Sequence, residues 1–347
     1  MQTGVFFTAY EADMGLRRTP LEKIRLGLFA AFVVTFPFFA SSYALTLANQ
    51  IAIATVGAIG LNILVGYTGQ ISLGQGAFMA IGAYSAGLLT ARLDVPFWLS
   101  IPAASLFTAL IGLFFGLPSL RLKGLYLAIA TLAAQQIVEW LVTHWTALTG
   151  GTEALVVPSP RLFGVRMNTD FNFYWIAVTA AALTALAAAN IFRSKVGRAF
   201  VAIRDQDIAA GAMGVHVFGY KLLAFATSSF FVGMAGALIA HYRTIVTWER
   251  FTIETSILYL AMIIVGGLGS IQGSFFGASF MVLLPALIST VGRELMTSAP
   301  ILGSRLPAIQ QGIFGLVIIL FLVLEPAGLA KLWRNIKDYF RVWPYSY

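Results

Sequence analysis

Cysteine is absent, which excludes disulfides, thiolate metal sites and cysteine nucleophiles together. Histidine is scarce: His144, His216 and His241 are scattered and offer no metal-ligand spacing. Charge is scarce too, since Asp, Glu, Lys and Arg make up 10% of the 347 residues, where soluble domains carry about 25%. Also missing is a phosphate-binding loop of the G-x-x-x-x-G-K-[ST] kind, because no lysine is followed by Ser or Thr. No paired carboxylates or His cluster suggest acid-base or metal chemistry. The chain is therefore not expected to be an enzyme. What it has instead is apolar bulk: 59% hydrophobic residues and a mean hydropathy of +0.85. That is a membrane protein, and its length leaves no room for a large soluble domain beside the apolar runs.

Runs approaching the roughly 20 residues that cross a bilayer occupy 24-41, 43-64, 97-117, 124-142, 173-192, 222-240 and 307-324. Glycine interrupts three more, 75-91, 256-269 and 273-291. The expected fold class is an all-α integral membrane protein, a polytopic helical bundle of about ten transmembrane segments with glycine-broken helices, forming a single domain over 1-347. A re-entrant dip at a break would reduce the count to nine or eight. With a cytoplasmic N-terminus, fifteen of the 22 Lys and Arg residues fall inside, as cytoplasmic loops prefer. This assigns 1-23, 193-220 and 326-347 to the inside and loop 143-172 to the outside. The basic balance suits anionic lipid on the inner leaflet. With no basic stripe interleaved with aromatics, nucleic acid is not an expected partner. The first twenty residues hold two acids and no apolar core, unlike a cleaved signal peptide, so the first span is expected to serve as its own insertion signal.

The stretch VGYTGQISLGQG, residues 65-76, is a poor recipe for continuous helix. Irregular backbone at membrane depth is tolerated only beside protein or a water-filled cavity. The same V-G-x-x-G-x-I pattern returns at 265-271, and paired breaks point to a substrate pathway. The candidate path residues are Gly66, Gly69, Gly266 and Gly269, with the polar Asn49, Gln50, Asn62, Gln70, Ser72, Gln75 and Gln272. Two other readings stay open: glycines that let helices pack closely, and polar side chains that hydrogen-bond between helices. The second applies equally to Gln135 and Gln136.

Of the two large loops, 143-172 suits a short helix or docking platform on the outer surface. The inner segment 193-220 carries Ala202, Ile203, Ala209, Ala210, Met213 and Val217 around the charged Arg204, Asp205 and Asp207, a pattern that fits a short amphipathic helix on the membrane surface. Small residues permit close approach to a partner's cleft, and flanking charges fix register.

The run GRAFVAIRDQDIAAGAMGVHVFGYKLLAF, ending at Phe225, resembles the cytoplasmic coupling segment of bacterial ABC-importer permeases, in the LivM-type branched-chain amino acid family. VGYTGQISLGQGAFMAIGAYSAGLL, TGGT at 149-152 and LAMIIVGGLGSIQGSFFGA at 260-278 resemble the same family and occur in its order. The resemblance implies a heterodimer with a second permease subunit, two ATP-binding subunits below, and a soluble extracytoplasmic substrate-binding protein that docks on loop 143-172. No cofactor is expected on this chain; ATP and Mg belong to the partner subunits. The ATPase-coupling residues implied are Arg204, Asp205, Asp207, Ala209, Ala210, Met213, Gly214 and His216. The family's Glu-Ala-Ala-x-x-x-Gly pattern falls on Ile208, Ala209, Ala210 and Gly214, so its glutamate is missing here and no salt bridge is carried over from it. The expected function is inward movement of branched-chain amino acids across the bacterial inner membrane by alternating access. Urea, short amides or aromatic carboxylates are alternative substrates. An ion-coupled carrier is the alternative mechanism, although Glu139 and Glu325 lie at span ends rather than centres.

Overall fold

A computed structural model describes residues 20-119, 122, 124-162, 164-298, 306-324 and 328-342. Arg17, Arg18, Arg121, Lys123 and Arg305, used above for sidedness, lie outside the described residues, as does Glu325.

The chain divides into two units at Thr46 and Leu47. The first holds α1 (Pro20–Phe39) and the opening turn of α2 (Ser42–Asn62). The second holds the rest of α2, which continues through a π-helical turn, Ile63–Tyr67. It then runs through α3 (Gln75–Leu93), α4 (Phe97–Ser119) and α5 (Leu125–His144). After a single turn, α6 (Thr146–Thr149), come strands β1 (Leu155–Val156), β2 (Arg161–Leu162) and β3 (Val165–Arg166). Helices α7 (Asp170–Arg193), α8 (Lys195–Ala212) and α9 (Val217–Arg243) follow. Strand β4 (Ile245–Val246) and a 3-10 turn lead to α10 (Ile253–Gly266), α11 (Ile271–Ser298), α12 (Leu306–Leu324) and α13 (Gly328–Val342).

Every apolar run expected to cross is helical. Among the described residues six helices are long and apolar enough to do so, Ser42–Tyr67, Phe97–Leu117, Leu125–His144, Asp170–Arg193, Val217–Arg243 and Ile271–Thr290. Shorter apolar stretches occur at Gly27–Phe39 and Gln311–Phe321. Helix α10, at 14 residues, spans about 21 Å, short of a hydrocarbon core of about 30 Å. In α3, glycine and polar residues dilute the apolar run, yet most of its residues are buried.

Helices α2, α3 and α9 supply the core: 78% of the apolar window of α2 and 61% of that of α9 are buried, against 17% for α7. That gradient marks α7 as a peripheral helix whose Leu183 and Leu186 face outward, where lipid would cover them. Small residues allow the centre to close. A Cβ on Gly82 would strike the backbone of Gly233, and one on Gly236 the backbone of Met79, so α3 and α9 approach closer than any larger residue permits.

Candidate functional site

The two glycine breaks face each other. The first leaves α2 through its π turn and runs irregularly from Thr68 to Gly74; the second is the turn Gly267 to Ser270 between α10 and α11. Asn62, at the end of α2, joins them. Its Nδ2 donates to the Ser270 carbonyl (2.9 Å) and to Ser274 Oγ (2.8 Å), and its Oδ1 accepts from the Gly269 amide (2.8 Å). A Cβ on Gly66 would collide with Asn62 Oδ1 and the Gly269 amide, so only glycine lets the breaks touch. Gly267 and Gly269 have φ of 125° and 71°, the positive range that glycine adopts without strain.

From α8, Arg204 reaches into this joint. Its guanidinium donates to the Gly66 carbonyl (3.0 Å), its stem lies over Gly69, and its terminal nitrogen sits 3.1 Å from where a Gly269 Cβ would be. One cation thus touches both breaks, meeting a carbonyl that the irregular backbone leaves outside any helical ladder. Arg204 also pairs with Asp205, an exposed contact of 3.1 Å. Asp207 turns the other way and pairs with Lys221 of α9 at 3.1 Å, both groups being largely buried.

The remaining path candidates are mostly spoken for. Gln70 is buried and donates to Thr68 Oγ1 (3.0 Å) and the Lys221 carbonyl (3.4 Å). Gln75 donates to the Gly57 carbonyl (3.1 Å), and Ser72 accepts from the Gly74 amide (3.3 Å). Asn49 lies far from the joint and donates to the Asp170 carbonyl (2.9 Å). Gln50 is half-buried and Gln272 exposed. The start of α3 is capped from other elements: Gln135, expected above to hydrogen-bond between helices, accepts through Oε1 from the Ala77 amide (2.5 Å), and two residues the sequence did not single out join it, Ser256 Oγ accepting from the Gly76 amide (2.8 Å) and Thr131 Oγ1 from the Leu73 amide (2.9 Å). These are interhelical hydrogen bonds satisfying orphan amides of a helix start.

Helix α8 departs from the expected single amphipathic helix. It runs from Lys195 to Ala212 and is kinked at Gln206 (φ −162°, ψ 100°). Ahead of the kink Gly197, Phe200 and Ile203 are buried; beyond it Ile208 is 73% and Met213 85% exposed. Met213 therefore projects rather than joining an inward apolar face. Ala209, Gly214 and His216 are exposed with it, while Ala210 is buried. Gly214 ends the segment at φ +86°, and His216 caps α9, its Nδ1 accepting from the Gly219 amide (3.0 Å). The outcome is a projecting knob of small and apolar residues, anchored at its root by Arg204 and Asp207.

At the opposite end of α9 the described residues of the loop 143-172 take part in two short strand pairings. Strand β1 pairs antiparallel with β4, Leu155 opposite Val246, and β2 pairs with β3. In TGGT, Gly150 and Gly151 take positive φ, and Thr149 Oγ1 donates to the Val142 carbonyl (2.6 Å). A recess of about 510 Å³ opens between this loop and the α3–α4 connection, with Asp94, Pro96, Pro158, Arg161 and Arg166 on its walls.

The family model described as the permease component of branched-chain amino acid transport systems matches residues 43–322. The chain belongs to this family of transport permeases. It is 32% identical over 340 positions, 91% of this chain and 76% of the relative, to the high-affinity branched-chain amino acid transport system permease protein LivM of Salmonella typhimurium. The Escherichia coli LivM protein gives the same identity and coverage. A probable LivH permease of Methanocaldococcus jannaschii is 26% identical over 296 residues, 81% of this chain and 89% of that protein. No solved structure matches. The permease is thus a multi-pass membrane protein, and the four motif segments that carry the resemblance are the two breaks of the joint, the Gly150–Gly151 turn and the knob, all inside or bordering the described core.

Proposed function

We propose that this permease is one membrane subunit of an ATP-driven importer that carries branched-chain amino acids inward. A second permease subunit completes the pathway as a heterodimer, two ATP-binding subunits carrying ATP and Mg dock on the α8 knob, and a soluble extracytoplasmic binding protein delivers substrate to the loop 143-172. In this reading ten segments cross a bacterial inner membrane, with both ends cytoplasmic. The names of the relatives support the substrate class.

The single observation that carries the mechanism is Arg204 bound to Gly66 and lying against Gly69 and Gly269. A partner holding Met213 and Ile208 pulls on a helix whose root grips both broken segments and, through Asp207 and Lys221, the start of α9. Closure of the ATPase pair then turns α8 about its kink and draws Arg204 across the joint, which separates or seals the two breaks. The path residues Asn62, Gly66, Gly69, Gln70, Ser72, Gln75, Gly266, Gly269 and Gln272 border that moving joint; Asn49 and Gln50 lie further along α2, towards the outer end. The recess beside Asp94 and Arg161 suits a charged rim that steers a binding protein more than it holds it.

The test is uptake of labelled leucine, urea and benzoate by cells with and without the chain, repeated with the P-loop lysine of the partner ATPase replaced. Leucine uptake should require the chain and disappear with the lysine. Uptake of urea or benzoate alone would change the substrate, and leucine uptake that survives the replacement but collapses with the ion gradient would reject the ATP-driven reading.

A further inference from the structure

The last helix was expected to be a cytoplasmic tail, and its construction says more. In α13 the apolar Leu329, Leu332, Trp333 and Ile336 recur at spacings of three, one and three, which places them along one side of a helix; Lys331, Arg334 and Lys337 fall on the other. Every residue from 331 to 339 is exposed, including Leu332 (38%), Trp333 (54%) and Ile336 (41%). Fifteen residues reach about 22 Å, and with four cations among them, Lys331, Arg334, Lys337 and Arg341, they do not cross a bilayer.

The helix is nonetheless fixed in place. Gly328, buried and at φ +75°, lies against the second break: a Cβ there would come within 2.6 Å of the Gly267 amide nitrogen. Ala330 is buried, and the Trp333 ring packs 6.0 Å from that of Phe276 in α11. Because Arg204 meets the same turn at Gly269, α13 and α8 belong to the same end of the bundle.

We propose that α13 is a membrane-surface helix, with Lys331, Arg334 and Lys337 on anionic lipid headgroups and Leu332, Trp333 and Ile336 among the upper acyl chains. The charge balance selects this occupant: the sequence of the helix sets four cations, Lys331, Arg334, Lys337 and Arg341, against Asp338, and a short, strongly two-faced, basic helix is the form that lies in a bilayer interface. The consequence is mechanical. Lipid holds α13, α13 holds Gly267 through Gly328, and the second break becomes the fixed side of the joint against which Arg204 moves.

The inference rests on membrane location and not on ATP or on the transported molecule, so failure of the uptake test leaves it intact. The cysteine-free sequence makes the experiment direct. Ile336→Cys carries a single nitroxide in the full chain assembled with its partner subunits, in nanodiscs of phosphatidylcholine alone or mixed with phosphatidylglycerol. In the anionic discs the label should collide readily with oxygen and be shielded from a water-soluble nickel chelate. Replacing Lys331, Arg334 and Lys337 by Gln, or raising the salt on the unsubstituted helix, should reduce that oxygen-to-nickel ratio severalfold. A label open to nickel in anionic discs, or shielded from both reagents because a subunit covers it, overturns the proposal.

Discussion

The two glycine breaks share a sequence pattern but are built on opposite plans. The first is long and supplies side chains: Asn62 at its entrance, then Thr68, Gln70 and Ser72 bonded within it. The second is a four-residue turn that supplies mainly backbone, its Gly269 amide and Ser270 carbonyl both satisfied by Asn62. The first break carries its own side-chain bonds and is tied to α5 and α9, whereas the Gly269 amide of the second is satisfied from across the joint. A turn that depends on its neighbour for its hydrogen bonds is released when the neighbour moves, which is what a gate requires.

The comparison breaks most sharply at Asn62. Asn62→Leu leaves the part-buried Gly269 amide without its partner, at about 1–3 kcal/mol, and takes one donor each from the Ser270 carbonyl and Ser274 Oγ, at about 1 kcal/mol or less, the Ser270 carbonyl keeping the Ser274 amide. We expect thermal unfolding of the purified chain to shift down by an amount corresponding to about 3 kcal/mol, and uptake to be lost. Hydrogen exchange should locate the new exposure at 267-270 rather than at 65-74; equal exposure at both would show that the breaks are not asymmetric. Next in size is Gly66→Ala, whose methyl meets the Gly269 amide and forces the breaks apart, for about 2 kcal/mol as overpacking of a tight contact. Gly315→Ala, inside α12 where nothing lies within 4 Å, is the control and should be unchanged or stabilised by up to about 1 kcal/mol in the same unfolding assay. Smallest in stability is Arg204→Leu, at about 1 kcal/mol or less because the side chain is 40% exposed. Its effect should fall on uptake instead, with the ATPase still co-purifying on the intact knob. Unchanged uptake would remove Arg204 from the transmission.

Helix positions were legible because long apolar runs leave few alternatives; each of the ten became a helix. The pairing of the breaks was also legible, since V-G-x-x-G-x-I occurs at both 65-71 and 265-271. What was hidden concerns direction. Arg204, Asp205 and Asp207 read as one charged cluster facing a partner, yet Arg204 turns in to Gly66, Asp205 stays outside and Asp207 pairs with Lys221. The kink at Gln206 divides them, and neither proline nor glycine marks it in the sequence. The capping roles of Ser256 and Thr131 depend on amides from another helix, which no local pattern encodes; for Gln135 an interhelical bond was legible, but not the amide it takes. In α13 the signal was present, as apolar and basic residues alternate with helical period, but a search for spans of about 20 residues passes over a shorter surface helix.

Strand β4 begins two residues after α9 ends, and it zips onto β1. At the other extremity His216 seats the same helix directly behind the knob. Twenty-seven residues of unbroken helix make a strut about 40 Å long, clamped at one extremity to the β1–β4 pairing and at the other to the knob of α8. Tilting either extremity must tilt the other, so in the importer proposed above a single stiff member would link the two ends, with no messenger in between.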